Sequence, residues 1–287
     1  FFSQRMNQLT CNARYMDEVE RVLYNNVLTG VSLSGDKYTY QNPLNTDKPD
    51  RWEWHVCPCC PPMFLKIMAA MPGYIYAYQG DNVYVNLFIG SEVRIPVGDN
   101  SVRLKQLTSY PWHGAVSIQV NPDKASTFSM KVRIPGWAQG TENPYDLYQS
   151  NLKAPVKLKV NQEDVLLRIV DGYAEINREW KKGDHIELEL PMQPRLITAN
   201  KAVENLRGQV ALASGPIIYC FEDADNPELQ TFKLQAQTPL ELSHDSNLLN
   251  GVNIIKCQGD IPAKAIPYYA VANREESHSY KVWIPQK

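Results

Sequence analysis

Three of the six cysteines of this chain lie within four residues, at Cys57, Cys59 and Cys60. Ionised thiols bind soft metal ions and act as nucleophiles, so a cluster of this kind can carry chemistry. The segment that follows begins with Pro61, and proline is well tolerated in the first turn of a helix. Sulfur anions close to a helix N-terminus are stabilised by the helix dipole. The pattern therefore indicates a metal-bound or nucleophilic thiolate pair whose partners come from other segments.

Other interpretations of the cluster remain open. A disulfide between adjacent cysteines is strained, and Cys11, Cys220 and Cys257 show no spacing that supports a disulfide framework. A self-contained structural zinc site needs a second pair of ligands, and none follows nearby in the sequence. Reduced thiols are common in protein cores, but they seldom cluster. A thiol redox protein is a further class, which the absence of a βαβ pattern disfavours.

The composition describes a globular chain and disfavours two classes of partner. The chain has 287 residues, of which 44% are hydrophobic and 21% charged, and its formal net charge is -2. Because no basic run occurs, we expect no nucleic-acid partner. No apolar stretch reaches the roughly 20 residues that span a bilayer, so we expect no membrane partner. The length allows two or three domains with separate cores.

The sequence of residues 1–25 is typical of the middle of a helical region. Residues 1–25 contain no initiator methionine and no charged-then-apolar signal layout. We therefore expect the C-terminal portion of a longer protein, with any export signal upstream. The bacterial periplasm is the location that we expect for it.

Helices are predicted for the first part of the chain. Apolar residues recur at three- and four-residue steps over 16–27, and Asn12 is suited to cap that helix. Residues 36–50 form a polar loop rich in Asn, Asp and Pro. A second helix is predicted to begin at Pro61 and to end at Pro72.

Strands are predicted for most of the chain after residue 75, because apolar and polar residues alternate there in short runs. Strands of this length and spacing are typical of antiparallel β-sandwiches. The predicted strands cover residues 82–89, 128–134, 156–160, 173–177, 186–190, 209–221, 267–272 and 280–284.

Several motifs together resemble one enzyme family. They are residues 12–35 (NARYMDEVERVLYNNVLTGVSLSG), 38–44 (YTYQNPL) and 57–62 (CPCCPP), with 132–138 (VRIPGWA) and 208–220 (GQVALASGPIIYC) further on. The chain is similar over nearly its whole length to the zinc-dependent cysteine glycosidases of the beta-L-arabinofuranosidase family, glycoside hydrolase family 127. The cysteine-cysteine-proline-proline segment is the most specific of these motifs.

The resemblance implies a mixed α and β fold. It consists of the last helices of an (α/α)6 barrel followed by two antiparallel β-sandwich domains. The implied boundaries place the barrel helices and the cysteine loop in residues 1–73, the first sandwich in 74–192 and the second in 193–287.

The resemblance also implies a zinc ion. Cys59 corresponds to the family's nucleophile and to one zinc ligand, and Cys60 corresponds to a second ligand. Cys57 stands where the family often has a cysteine that is not a principal ligand. The glutamate and the cysteine that complete the zinc site, and the general acid/base glutamate, are expected upstream of Phe1.

Glu20 and Tyr40 match family positions that contact the sugar or surround the metal, and His55 is a candidate donor of a hydrogen bond to a sulfur or to the sugar. For each of them a structural role is an open alternative, because charged residues are mostly exposed and tyrosine often packs through its ring. His55 stands where the family more often has phenylalanine, and Met63 where it has asparagine. These two differences leave the identity of the sugar open.

The function implied by the resemblance is a retaining glycoside hydrolase that releases L-arabinofuranose or a related furanoside from plant-type glycans. Its partner is an oligosaccharide or polysaccharide substrate, and a homodimer is a further expectation. A non-catalytic carbohydrate-binding or structural β-sandwich module is the alternative, because the upstream catalytic residues lie outside this sequence.

Overall fold

The computed structural model describes residues 1–54, 56–57, 59–259 and 261–287. Four α-helices occur in the described residues, and further short helical turns follow the second of them. None of these helices has the length and apolar character that crossing a bilayer requires. The α-helices are α1 (Phe2–Thr10), α2 (Arg14–Val22), α3 (Cys60–Ala70) and α4 (Pro72–Ile75), with a π-helical turn at Leu23–Val27 and a 3-10 turn at Leu28–Gly30.

Strands make up most of the remaining structure. In chain order they are β1 (Lys37–Tyr38), β2 (Asn45–Thr46), β3 (Trp52–Glu53), β4 (Tyr76–Gln79), β5 (Asn82–Val85), β6 (Ser91–Val97), β7 (Asn100–Thr108), β8 (Ala115–Pro122), β9 (Ser126–Arg133), β10 (Tyr148–Ser150), β11 (Lys157–Val160), β12 (Glu163–Asp164), β13 (Ile169–Val170), β14 (Tyr173–Trp180), β15 (Asp184–Glu189), β16 (Arg195–Ala199), β17 (Gln209–Ser214), β18 (Ile217–Glu222), β19 (Leu240–Asp245), β20 (Val252–Cys257), β21 (Ala263–Pro267), β22 (Tyr280–Lys281) and β23 (Ile284–Pro285).

The chain forms two compact units, each assembled from three separate segments. The first unit comprises Phe1–Glu20, Ala69–Gln139 and Lys153–Met192. The second unit comprises Arg21–Met68, Gly140–Leu152 and Gln193–Lys287.

The first unit contains two sheets. A six-stranded antiparallel sheet has the order β12-β11-β15-β8-β7-β6, and a five-stranded sheet has the order β13-β14-β9-β5-β4. A buried polar residue joins them, because Gln106 on β7 donates to the Tyr76 hydroxyl on β4 (3.0 Å) and to the Leu87 carbonyl (3.2 Å). The prediction of purely antiparallel sheets is wrong at one place, since β5 pairs with β9 in parallel.

The second unit contains one ten-stranded sheet and the separate pair β1–β3. The sequence predicts an antiparallel β-sandwich here, and hydrogen bonds connect its strands into one sheet. Strand β18 makes this connection, because Tyr219 and Cys220 pair with β21 while Phe221 and Glu222 pair with β22.

Local signals explain where several elements begin and end. Asn12 caps α2 as predicted, because its Oδ1 accepts a hydrogen bond from the Arg14 amide (3.1 Å). The strand predicted over 82–89 ends at Val85, since the amides of Asn86 and Leu87 turn to the Ile75 carbonyl. The strand predicted over 267–272 is wrong: β21 ends at Pro267, and a 3-10 turn covers Tyr268–Ala270.

Candidate metal centre

The cysteines lie between a two-stranded ribbon and the start of α3. Tyr38 on β1 is paired with Trp52 on β3, and the Trp54 amide donates to the Asp36 carbonyl (3.1 Å). Helix α3 begins at Cys60, so Cys59 directly precedes it. This agrees with the predicted helix start to within one residue. The ribbon and the helix thus hold the thiols at a helix N-terminus, where sulfur anions are favoured.

A partly buried arginine anchors the chain just before the ribbon's second strand. Arg51 donates to the carbonyls of Val271 (2.8 Å), Ala272 (3.1 Å) and Thr29 (3.1 Å). Burial lowers its pKa to about 10, but the guanidinium remains charged at neutral pH. Because these bonds tie residue 51 to two distant segments of the same unit, they fix the entry to the cysteine loop. Sequence analysis did not identify Arg51, because no local pattern marks its partners.

The three thiols form one compact cluster. The sulfur of Cys59 lies 3.2 Å from that of Cys57 and 3.7 Å from that of Cys60. All three sulfurs lie within 4.8 Å of one another, and Cys59 is the exposed member. All six cysteines are free thiols, so the disulfide interpretation is excluded in this structure.

The spacing of Cys59 and Cys60 fits two ligands of one tetrahedral zinc ion. Zinc–sulfur bonds of about 2.3 Å place two sulfurs of a tetrahedron about 3.8 Å apart. The Cys59–Cys60 distance of 3.7 Å matches this value, whereas the Cys57–Cys59 distance of 3.2 Å is too short for two ligands of the same ion. Cys57 therefore fits as a hydrogen-bonding neighbour of the ligands. This agrees with the sequence analysis, which gave Cys57 as a cysteine of the cluster that is not a principal ligand.

Hydrogen bonds within the cluster shift the pKa values of Cys57 and Cys59 in opposite directions. The thiol and then the amide of Cys59 lower the pKa of Cys57. In return, hydrogen bonds with Cys57 and Cys60, followed by partial burial, raise the pKa of Cys59 to about 11. In the metal-free cluster Cys57 therefore ionises at a lower pH than Cys59, whose thiol is protonated at neutral pH.

Tyr38 packs between two tryptophans beside the cluster. Its ring meets those of Trp52 and Trp54 edge-on, at centroid distances of 6.1 Å and 6.3 Å. The side chain is buried, with 1% of its surface exposed. Burial, followed by the charge of a nearby Cys57 thiolate, raises the pKa of the hydroxyl.

Tyr40 lies on the same side of this ribbon and is half exposed. Its ring stacks on Trp52 with a centroid distance of 4.6 Å and an interplanar angle of 4°. The pair lines a cavity of about 200 Å³ that also contains Lys48 and Asp50. An open aromatic face beside polar groups suits a sugar ring, so this geometry is compatible with the predicted sugar contact.

Glu20 belongs to the first unit and is 1% exposed. Its carboxylate forms an ion pair with the buried Arg133 (2.5 Å) and accepts a hydrogen bond from the Tyr110 hydroxyl (2.8 Å). Asp17 also contacts Arg133 (2.7 Å). Both oxygens of Glu20 accept hydrogen bonds inside the unit, Oε1 from Tyr110 and Arg133 and Oε2 from Arg133 and Trp137. In this structure Glu20 holds Arg133, and its predicted sugar contact stays a prediction.

The other predicted site residue, His55, lies outside the described residues. Of the remaining cysteines, Cys220 and Cys257 are buried in β18 and β20. Cys11 lies at the C-terminal end of α1, outside the thiol cluster.

Three family models match consecutive parts of the chain. The model for the catalytic domain of GH127 beta-L-arabinofuranosidase matches residues 1–73, which include the thiol cluster. The model for the middle domain of the same enzymes matches residues 82–192. The model for the C-terminal domain of glycoside hydrolase family 127 matches residues 194–285.

Individual proteins are similar over nearly the whole chain. A non-reducing end beta-L-arabinofuranosidase of Bifidobacterium longum subsp. longum is 29% identical over 324 residues, covering 96% of this chain and 46% of that protein. A solved GH127 beta-arabinofuranosidase is 34% identical with a TM-score of 0.92, covering 99% of this chain and 48% of that one. The structure of a GH127 beta-L-arabinofuranosidase from Geobacillus stearothermophilus T6 is 34% identical with a TM-score of 0.90, covering 100% and 48%. This chain thus spans about half the length of these relatives.

Proposed function

Because the chain belongs to glycoside hydrolase family 127, we propose that the whole protein is a retaining glycoside hydrolase that releases L-arabinofuranose or a related furanose from plant-type glycans. The thiol cluster at the start of α3 carries this proposal, because it lies in the segment that matches the catalytic-domain model. The names of the similar proteins support arabinofuranose as the sugar.

We propose that Cys59 and Cys60 hold one zinc ion. The sulfur–sulfur distance of 3.7 Å supports this assignment, and thiolates are preferred zinc ligands. Bound zinc would keep the Cys59 sulfur ionised at neutral pH, although the pKa of this thiol is about 11 without metal. The family resemblance assigns the other two ligands, a glutamate and a cysteine, to the half of the relatives that this chain does not match.

In the proposed reaction the Cys59 sulfur attacks the anomeric carbon of the terminal furanoside. The bond from that carbon to the glycosidic oxygen breaks, and a glutamic acid from the unmatched half donates its proton to the departing oxygen. The sugar is then bonded to Cys59 through sulfur. A water molecule, deprotonated by the same glutamate, attacks the anomeric carbon and releases the thiolate. Two inversions at one carbon give net retention.

Tyr40 and His55 are proposed to contact the sugar. For Tyr40, the support is its half-exposed ring on the wall of the 200 Å³ cavity. Its stacking on Trp52 fixes the ring without covering it, so one aromatic face stays open to a furanose.

The first 73 residues are proposed to complete an (α/α)6 barrel, with the β-rich parts at 74–192 and 193–287 as separate domains. The support is the apolar surface that the helices leave open. Of α3, only Pro61 is buried, while Met63 and Leu65 are 49% and 58% exposed. Soluble proteins rarely leave contiguous apolar surface uncovered. Further barrel helices from the unmatched half are the proposed partners of this face.

Substitution of the nucleophile tests the function. In the full-length protein, Cys59→Ser is expected to lower kcat by on the order of 10⁴-fold or more, because a hydroxyl does not replace a metal-bound thiolate. Release of L-arabinofuranose from an aryl furanoside and the circular dichroism spectrum are measured together. Cys11→Ser, which alters a thiol outside the cluster, is the matched control and is expected to retain activity.

Near-normal turnover in folded Cys59→Ser protein would remove Cys59 from the nucleophile role. Full-length wild-type protein that binds furanosides without hydrolysing them would support the alternative, a non-catalytic carbohydrate-binding module. The homodimer and the bacterial periplasm stay predictions from the sequence.

A further inference from the structure

Tyr38 is a buried residue of the ribbon next to the thiol cluster. It ends β1, opposite Trp52 in the β1–β3 ribbon, and the edges of Trp52 and Trp54 hold its ring. Because strand pairing and ring packing both constrain the side chain, the position of its hydroxyl is fixed by the ribbon. Its 1% exposure shows that no bulk water reaches the ring.

The hydroxyl itself is in an unusual situation. Its oxygen is buried, and among the described residues it forms no well-aligned hydrogen bond. Leaving a buried hydroxyl unpaired costs about 1–3 kcal/mol, so such a group in a folded protein calls for an explanation. After burial, the neighbouring groups that shift the pKa of this hydroxyl are Cys57, through its charge, its amide and its thiol, and Cys60, through its charge. Tyr38 therefore faces the cluster with a proton to donate.

We infer that Tyr38 is a positioning residue whose hydroxyl donates a hydrogen bond to the ionised sulfur of Cys57, with or without metal in the cluster. Cys57 in turn lies 3.2 Å from the sulfur of Cys59, so the bond reaches the proposed nucleophile through one intermediate thiol. This inference rests on the proposed function, because it assigns Tyr38 a task in that same site.

The chemistry of the three sulfurs explains why such a donor is useful. Thiolates that share one cluster repel one another, and a hydrogen bond to one of them reduces that repulsion. A sulfur that accepts a hydrogen bond from the tyrosine hydroxyl is also fixed in position. This restrains the side chain of the neighbouring Cys59. Groups that orient metal ligands in this way commonly change metal affinity by about 10–100-fold when they are removed.

The test is Tyr38→Phe in the full-length protein, which removes one oxygen and keeps the ring. We expect zinc to be lost to a chelator at about tenfold lower chelator concentration than in wild type. In zinc-free protein we expect iodoacetamide to alkylate Cys57 at least about threefold more slowly at neutral pH, because its thiolate loses a donor. We expect kcat to fall with KM nearly unchanged, since the substitution acts on the sulfurs and not on the sugar.

Tyr268→Phe is the matched control. Tyr268 is a buried tyrosine of the same unit whose hydroxyl donates to the Pro43 carbonyl (2.9 Å), away from any thiol of the cluster. Tyr268→Phe removes a buried hydrogen bond and is expected to lower the free energy of unfolding by about 1 kcal/mol. It should alter neither zinc retention nor Cys57 alkylation.

Zinc retention and Cys57 alkylation within twofold of wild type in Tyr38→Phe would overturn the inference. Failure of the proposed function looks different. If wild-type protein holds no zinc and shows no turnover, the function fails, while the alkylation rate of Cys57 still decides whether Tyr38 bonds to its sulfur.

Discussion

Among single residues, Cys57 and Cys59 should differ most clearly in reactivity. In zinc-free protein the pKa of Cys57 is lowered, chiefly by hydrogen bonding from Cys59, while that of Cys59 is raised to about 11. A thiol with a raised pKa is protonated below that value, so its reactivity grows as the pH increases towards 11. We therefore expect iodoacetamide to modify Cys57 first near neutral pH and Cys59 only above about pH 10.

Peptide mass spectrometry across a pH series, on protein stripped with chelator, measures both rates. Equal alkylation of the two residues at neutral pH would contradict the predicted order. Addition of zinc before the alkylating agent is the internal control, and it should protect Cys59 and Cys60 if they are the ligands.

A second prediction at this scale concerns the buried ion pair of Glu20 with Arg133. Glu20→Gln leaves a buried guanidinium with less compensating charge, so we expect the free energy of unfolding to fall by about 3 kcal/mol. The exposed ion pair of Arg94 and Asp123 is the matched comparison, and Asp123→Asn should change the free energy of unfolding by less than about 1 kcal/mol. Urea denaturation measures the free energy of unfolding of both variants. Equal losses would show that burial does not determine how much an ion pair contributes to stability.

Single residues of the site could be predicted from the sequence where the signal is local. The clustering of Cys57, Cys59 and Cys60 and the helix start at Pro61 are contained in a few neighbouring residues. The roles of Tyr38 and Arg51 could not be predicted, because they depend on strand pairing and on carbonyls of distant segments. The burial of Glu20 could not be predicted either, because it is set by partners that are remote in sequence, above all Arg133.

At the scale of elements, Gly114 lies at the join between β8 and β15, where there is no room for a Cβ atom. A Cβ atom on Gly114 would lie 2.0 Å from the Leu190 carbonyl oxygen, whereas one on Gly90 would meet nothing within 4 Å. Gly114→Ala must push two paired strands apart, so we expect a loss of about 2 kcal/mol in unfolding free energy. Gly90→Ala should change it by less than about 1 kcal/mol. Thermal unfolding of the two variants compares them directly, and equal melting temperatures would contradict the expected difference.

Strands in which apolar and polar residues alternate clearly could be predicted from the sequence, but the strands with which they pair could not. The strand predicted over 128–134 corresponds to β9 at Ser126–Arg133, since its apolar residues alternate. The sequence analysis missed β6, β7 and β8, although buried Val102 and Leu104 alternate with polar residues there. The parallel pairing of β5 with β9 joins residues far apart in the chain, and no local pattern encodes it.

At the scale of the whole molecule, the apolar face of α3 makes the barrel proposal testable. Leu65 is 58% exposed in this chain, and Leu166 is 92% exposed. If further barrel helices cover α3 in the full-length protein, Leu65→Lys should lower the free energy of unfolding by at least about 2 kcal/mol, because it buries a charge. Leu166→Lys, the matched control, should have almost no effect. Equal and small effects in urea denaturation would contradict the barrel.

The central claim is that the sulfur of Cys59 becomes bonded to the sugar during turnover. The most direct measurement is peptide mass spectrometry of full-length protein, quenched in acid while it hydrolyses an aryl L-arabinofuranoside. The account predicts that the peptide containing Cys59 carries one pentosyl group, lost again when substrate is exhausted. Steady turnover with the pentosyl group on a different residue, or on none, would contradict it.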